Sequence, residues 1–121
     1  MAHLPWRSIF AWLLAAFFVL GGALNITASP EIVADYARWG YPAGFHYLTG
    51  ALEWTAALLI AWHRTRLIGS LLGAAIMGAA TVTVLLAGEV SHAVPPVIVL
   101  ALTLVNARLS AQGRRLGGRT Q

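Results

Sequence analysis

The sequence predicts an all-α fold: an integral membrane four-helix bundle with a short amphipathic helix in the first outer loop. Three observations predict it. Of the 121 residues, 59% are hydrophobic and only 10% charged, whereas soluble domains average roughly 25% charged. The apolar residues gather in four runs, over about 8–24, 44–62, 67–86 and 95–109, each close to a bilayer-spanning length. These runs lack the alternation of barrel strands, and in lipid a helix satisfies its own backbone polar groups.

The first run follows "HLPWR" and competes with a cleaved signal peptide, whose apolar core is usually shorter. This run and the fourth are slightly short for a full span, which tilt or local bilayer thinning accommodates. The loop "SPEIVADYARWGYP" (29–42) has its own helix signals. Ser29 is an N-cap, Pro30 takes the first helical position, Glu31 and Asp35 come early, and Gly40 with Pro42 marks the stop. Ile32, Val33, Tyr36 and Trp39 share one face, so a helix over 29–39 is expected to lie across the outer mouth of the bundle. The Tyr and Trp also suit plain interfacial anchoring. In the third run, "GSLLG" (69–73) and the alanines and glycine to Ala80 set small residues four apart. That spacing lets helices approach closely. Residues 110–121 read as a basic, solvated and disordered cytoplasmic tail touching anionic lipid.

Charge orients the bundle. The eight basic residues are all Arg. Arg7, Arg64, Arg66, Arg108, Arg114, Arg115 and Arg119 lie at the N-terminus, the second loop and the tail, against Arg38 alone in the first loop. This places both termini in the cytoplasm of a multi-pass inner-membrane protein. The arginines flank apolar runs and form no patch for nucleic acid. The lack of lysine excludes a Schiff base. The lack of cysteine excludes disulfides, thiolate metal sites and c-type haem attachment.

One residue breaks the second run. Glu53 stands near the middle of "LTGALEWTAALLIAW" (48–62), where a carboxylate is costly unless it is paired, protonated or facing a cavity. It is expected to face the bundle interior and to be neutral, since the second helix holds no Lys or Arg beside it. Glu53 is therefore the candidate catalytic acid or base, with His46 two turns earlier on the same face as its proton partner. The plain alternative is a protonated carboxyl bonded to a neighbouring helix, for instance to Thr81. Asn25, Tyr36, Trp39, Thr81, Glu89 and His92 are the candidate ligand contacts, gathered toward the outer level. Thr81 is set on one helical face with Glu89, which also reads as a solvated loop acid. His46 and His92 also read as interfacial histidines. No HxxxH or HExxH spacing suggests a metal. Asn25-Ile26-Thr27 formally matches a glycosylation triplet.

The stretch "FFVLGGALNITASPEIVADYARWGYPAGFHYLTGALEW" (17–54) carries a glycine-rich end to the first helix, a short loop helix, a G-Y-P turn and G-x-x-E at Gly50–Glu53. With "GEVSHAVPPVIVLAL" (88–102), it resembles the DoxX-like family of small four-helix membrane proteins. A basic residue often follows the first helix in that family, where Ile26 and Thr27 stand here. The resemblance implies a membrane subunit, linked in some members to quinone-dependent oxidation, notably of thiosulfate. No residue here specifies thiosulfate. The expected function is binding of a small lipophilic ligand, as a quinone-linked redox accessory subunit. Quinone is then the candidate cofactor, and a membrane redox partner or a second copy the candidate protein partner. The alternatives are an assembly subunit without a pocket, a proton-coupled small-molecule exporter, and a membrane isomerase or epoxide-opening enzyme using Glu53.

The Arg placement makes one direct prediction. A reporter fused after Gln121 should read cytoplasmic, and one inserted after Glu31 should read external. The opposite pattern would overturn the orientation.

Overall fold

Pro5 opens the first helix, α1 (Trp6–Thr27), and the chain then turns at Ala28, whose φ of 30° lies in the left-handed region. The computed structural model describes residues 5–120, and the side chains of 5–113. Four further helices follow: α2 (Pro30–Arg38), α3 (Phe45–Ala61), α4 (Arg66–Leu86) and α5 (Val94–Thr120). A 3₁₀ turn, Val90–Ala93, leads into α5, and the described residues contain no strand. The helix α5 runs well past Leu109, so its backbone stays helical through the segment expected to be a disordered tail. Gln121 lies outside the described residues.

Three segments are long and apolar enough to cross a membrane: α1, α4 and Val90–Gly113. At 17 residues, α3 rises about 26 Å, slightly under a hydrocarbon core of about 30 Å. It packs along α1 on one side and α4 on the other. In turn α4 packs on α5, and a lighter α5–α1 contact closes the ring. The chain is an all-α membrane bundle.

Small residues decide where the helices touch. A Cβ on Gly22 would stand 2.9 Å from the Gly50 carbonyl oxygen, and one on Gly50 would stand 2.8 Å from the Gly22 carbonyl oxygen. The two backbones therefore meet directly where α1 crosses α3. Gly73 leaves room for the Phe18 ring, which reaches from α1 to α4 and is fully buried. Around it Leu14, Ala56, Ile60, Met77 and Val99 complete the core.

The end bearing the termini is closed. Gly69 lies against the Leu59–Ile60 backbone. Arg66 donates from Nε to Ile60 O at 2.8 Å and from Nη2 to Ala61 O at 3.1 Å, which satisfies carbonyls left free where α3 ends. Deeper in, Asn106 Nδ2 donates to Ser70 Oγ at 2.7 Å, joining α5 to α4. The opposite end carries α2. Ser29 Oγ accepts from Ile32 N at 3.3 Å as the N-cap, and Gly40, at φ 86°, turns the chain toward α3. No residue of α2 is buried.

The Gly22–Gly50 contact should be intolerant of volume. Gly50→Val should lower stability by about 1–3 kcal/mol, while Gly78→Ala, with nothing within 4 Å, should be neutral or mildly stabilising. Thermal unfolding in detergent measures both. Equal effects would show that the helices do not meet there.

Candidate functional site

At the α2 end the bundle holds a half-open cavity of about 480 Å³. Phe17, Gly21 and Asn25 line it from α1, Thr49, Leu52 and Glu53 from α3, and Ile76, Met77, Ala80 and Thr83 from α4. Pro95, Pro96 and Val99 close the α5 side. The roof is α2, which turns Ile32, Asp35, Tyr36 and Trp39 toward the space.

Glu53 is 3% exposed, and two features of α1 admit it. Gly21 has no side chain where the carboxyl lies, since a Cβ there would collide with Glu53 Oε2. One turn on, Asn25 Nδ2 donates to Glu53 Oε1 at 2.5 Å and to Gly21 O at 3.1 Å. Asn25 Oδ1 accepts from the Tyr36 hydroxyl at 2.8 Å, so the amide joins the buried carboxyl to the roof helix. Burial pushes the Tyr36 phenol up, against the lowering effect of the Thr49 hydroxyl, and keeps it a proton donor. Glu53 Oε2 makes no hydrogen bond among the described residues, yet none of their fully buried side-chain polar atoms lacks a partner. Oε2 therefore opens onto the cavity.

A second polar cluster clasps α2 from outside. Arg38 Nη2 meets Glu89 Oε1 at 2.7 Å, and the Trp39 indole N–H donates to Glu89 Oε2 at 2.8 Å. Arg38 also pairs with Asp35 at 2.9 Å, and His92 Nδ1 lies 3.1 Å from Glu89 Oε1. The Arg38 guanidinium and the Trp39 indole hold the Glu89 carboxyl below its usual range, and the same contact raises Arg38. Aromatic rings fill the remaining roof, with Tyr36 5.6 Å from Trp39 and 5.7 Å from Tyr41, and Tyr41 stacked on Phe45 at 4.5 Å.

A family model described as the DoxX-like family matches residues 9–106. That span covers most of the chain and every residue lining the cavity. The chain belongs to the DoxX-like family. No curated protein and no solved structure matches it.

Within this DoxX-like bundle, Asn25, Tyr36, Trp39, Glu53 and His92 all border the cavity. Three other residues singled out from the sequence stand elsewhere. His46 is buried beside the site, and its Nδ1–H donates to the Asn25 carbonyl at 2.7 Å, so it braces the end of α1 and does not reach Glu53. Thr81 donates back to Met77 O at 2.8 Å within α4 and does not border the cavity. Its shared face with Glu89 does not hold, because α4 ends at Leu86 and the chain turns at Gly88. Glu89 is a partly exposed loop acid at the centre of the clasp, outside the cavity lining but bonded to Trp39 and His92, which belong to it. The Asn25 amide is taken up in hydrogen bonds inside the bundle, unlike a glycan acceptor.

Two contacts went unnoticed in the sequence. The Tyr41 hydroxyl and Thr83 Oγ1 lie 2.5 Å apart, linking the G-Y-P turn to α4 across the cavity rim. The row Ile76–Ala80–Thr83 at helical spacing is the signal that would have found Thr83. Gly21 offered no signal beyond being a glycine next to another.

The clasp carries a pH dependence. The docked Glu89 lies below the ordinary glutamate value of about 4.3. Its contribution is thus complete above that value and is lost as pH falls through the lower docked one. Amide exchange in α2, corrected for intrinsic rate, should stay protected from neutrality to about pH 5 and loosen below about pH 4. Glu89→Gln should exchange faster at neutral pH and lose the acid transition. An acid transition kept intact in Glu89→Gln would remove Glu89 as its cause.

Proposed function

We propose that this protein holds a small, largely apolar molecule in the cavity, with one polar head group against Glu53 Oε2. The observation that carries the reading is a carboxyl 3% exposed with an unpaired oxygen facing a cavity of about 480 Å³. The cavity falls within the range of ligand sites, about 300–1,000 Å³, and shares their mix of apolar wall and few convergent polar groups. A bonded neighbour holds the carboxyl in place, so a ligand would meet a preorganised contact.

A quinone is the head group that the family resemblance suggests, and the residues suit one. Protonated, Glu53 could donate to a ring carbonyl, with the Tyr41–Thr83 hydroxyl pair across the rim as a second polar contact and the aromatic roof against the ring. A bound quinone would supply two-electron redox chemistry. The chain would bind and orient it under the roof, and a membrane redox partner would exchange electrons with it.

The other readings have less support. An exporter would require a second state in which the terminal end, packed by Phe18, Ser70 and Asn106, opens. An enzyme using His46 as proton partner lacks the contact, since His46 Nδ1 is bonded to Asn25 O.

Native mass spectrometry of the purified protein, with extraction of whatever is bound, tests the proposal. Wild type should carry a lipophile, Glu53→Gln should keep most of it, and Glu53→Leu should lose at least about 90%, since the polar anchor is gone. Loss of Asn25's partner should also lower the stability of Glu53→Leu by about 1–3 kcal/mol while the helices persist. Full retention of the lipophile in Glu53→Leu would leave the carboxyl a packing contact and end the reading.

A further inference from the structure

We infer that the cavity selects its occupant by charge, accepting uncharged or cationic head groups and rejecting anionic ones. The inference rests on the ligand-binding reading above and narrows it.

Proteins hold buried anions with guanidinium or ammonium groups, or with free N–H groups at helix starts. Among the described residues the lining offers no guanidinium or ammonium group, and its one histidine, His92, sets Nδ1 against Glu89 Oε1 at 3.1 Å. The chain has no lysine, and no arginine lines the cavity among the described residues. Arg38, the arginine beside the rim, is turned to Asp35 and Glu89. Arg66 lies at the far end, bonded to the carbonyls that end α3.

Several N–H groups at the helix starts are missing or already taken. Pro95 and Pro96 stand in the first turn of α5 and border the cavity, and neither has an N–H. Val94 N–H, just before them, donates to Ser91 O. At the start of α3, Phe45 N donates to Pro42 O and Tyr47 N to Gly44 O. On α2 the cap takes Ile32 N, and Val33 N donates to Ser29 O.

The acidic groups point the other way. Glu53 and Asp35 both line the cavity, Glu53 with an oxygen unpaired. Ionised, Glu53 would repel an anion directly. Protonated, it offers a single O–H, too little to replace the hydration shell that a buried anion loses. A neutral carbonyl needs no more than that O–H, and an ammonium would find the carboxylate itself.

A series with one body and three heads tests this: para-pentylbenzamide, para-pentylbenzylamine and para-pentylbenzoate, which are neutral, cationic and anionic at about pH 7. Each is titrated calorimetrically into the full-length protein in a non-ionic detergent, against empty micelles. The benzoate should bind at least about tenfold more weakly than the benzamide. Glu53→Gln should keep benzamide binding. Benzoate binding as tight as benzamide overturns the inference and leaves the ligand reading standing. If no member binds above the micelle blank, the ligand reading itself fails and this inference with it.

Discussion

The contact on which the site depends is backbone on backbone. Gly22 and Gly50 each set a carbonyl oxygen against the other's bare Cα where α1 crosses α3. Three residues beyond each glycine stands a polar side chain, Asn25 on one helix and Glu53 on the other. One turn of helix carries each past the crossing point, and the close approach leaves the amide and the carboxyl within 2.5 Å. A larger residue at either glycine would push the helices apart by more than a hydrogen bond can stretch. Gly21 adds the last requirement, open space for the second carboxyl oxygen. Three glycines thus permit what one glutamate needs in a medium without water.

The two ends of the bundle use their polar residues differently. At the terminal end Arg66, Ser70 and Asn106 tie helix to helix and leave no room between them. At the α2 end the bonds run along the wall of a cavity and up to its roof. The roof helix buries no residue of its own, so little apolar contact holds it down. It is held by Tyr36 on Asn25, by Arg38 and Trp39 on Glu89, and by ring contacts. Elements fixed by a few polar bonds belong to the low-stability part of a fold, where binding elements are commonly found. An apolar occupant would supply the contact that Ile32, Tyr36 and Trp39 lack beneath them.

Two tryptophans outside the site show the same economy of backbone groups. Trp12 Nε1 donates to Ala61 O, and Trp54 Nε1 to Val19 O, each crossing between α1 and α3. In lipid an indole N–H needs a partner. Here each indole finds a carbonyl on the neighbouring helix and pins the pair whose glycine contact sets the site.

What the sequence determined by itself was the medium, the helices and the suspects. Four apolar runs, the cap and stop residues around α2, and a lone acid in the second run are local features, and lipid makes local hydrogen bonding compulsory. The DoxX-like pattern of G-Y-P and G-x-x-E was legible for the same reason, since its residues lie close along the chain. Which suspects meet was decided only by tertiary structure. Asn25 and Glu53 are 28 residues apart in sequence, and Trp39 and Glu89 are 50 apart. His46 shares a helix face with Glu53 and still bonds the Asn25 backbone carbonyl, not the Glu53 carboxyl. Thr83, not Thr81, reaches the cavity rim, because two residues along a helix turn a side chain by about 200°. Helical spacing sets a residue's direction relative to its own axis. The rotation of each helix against its neighbours, fixed here by glycines where backbones collide, sets what that direction points at.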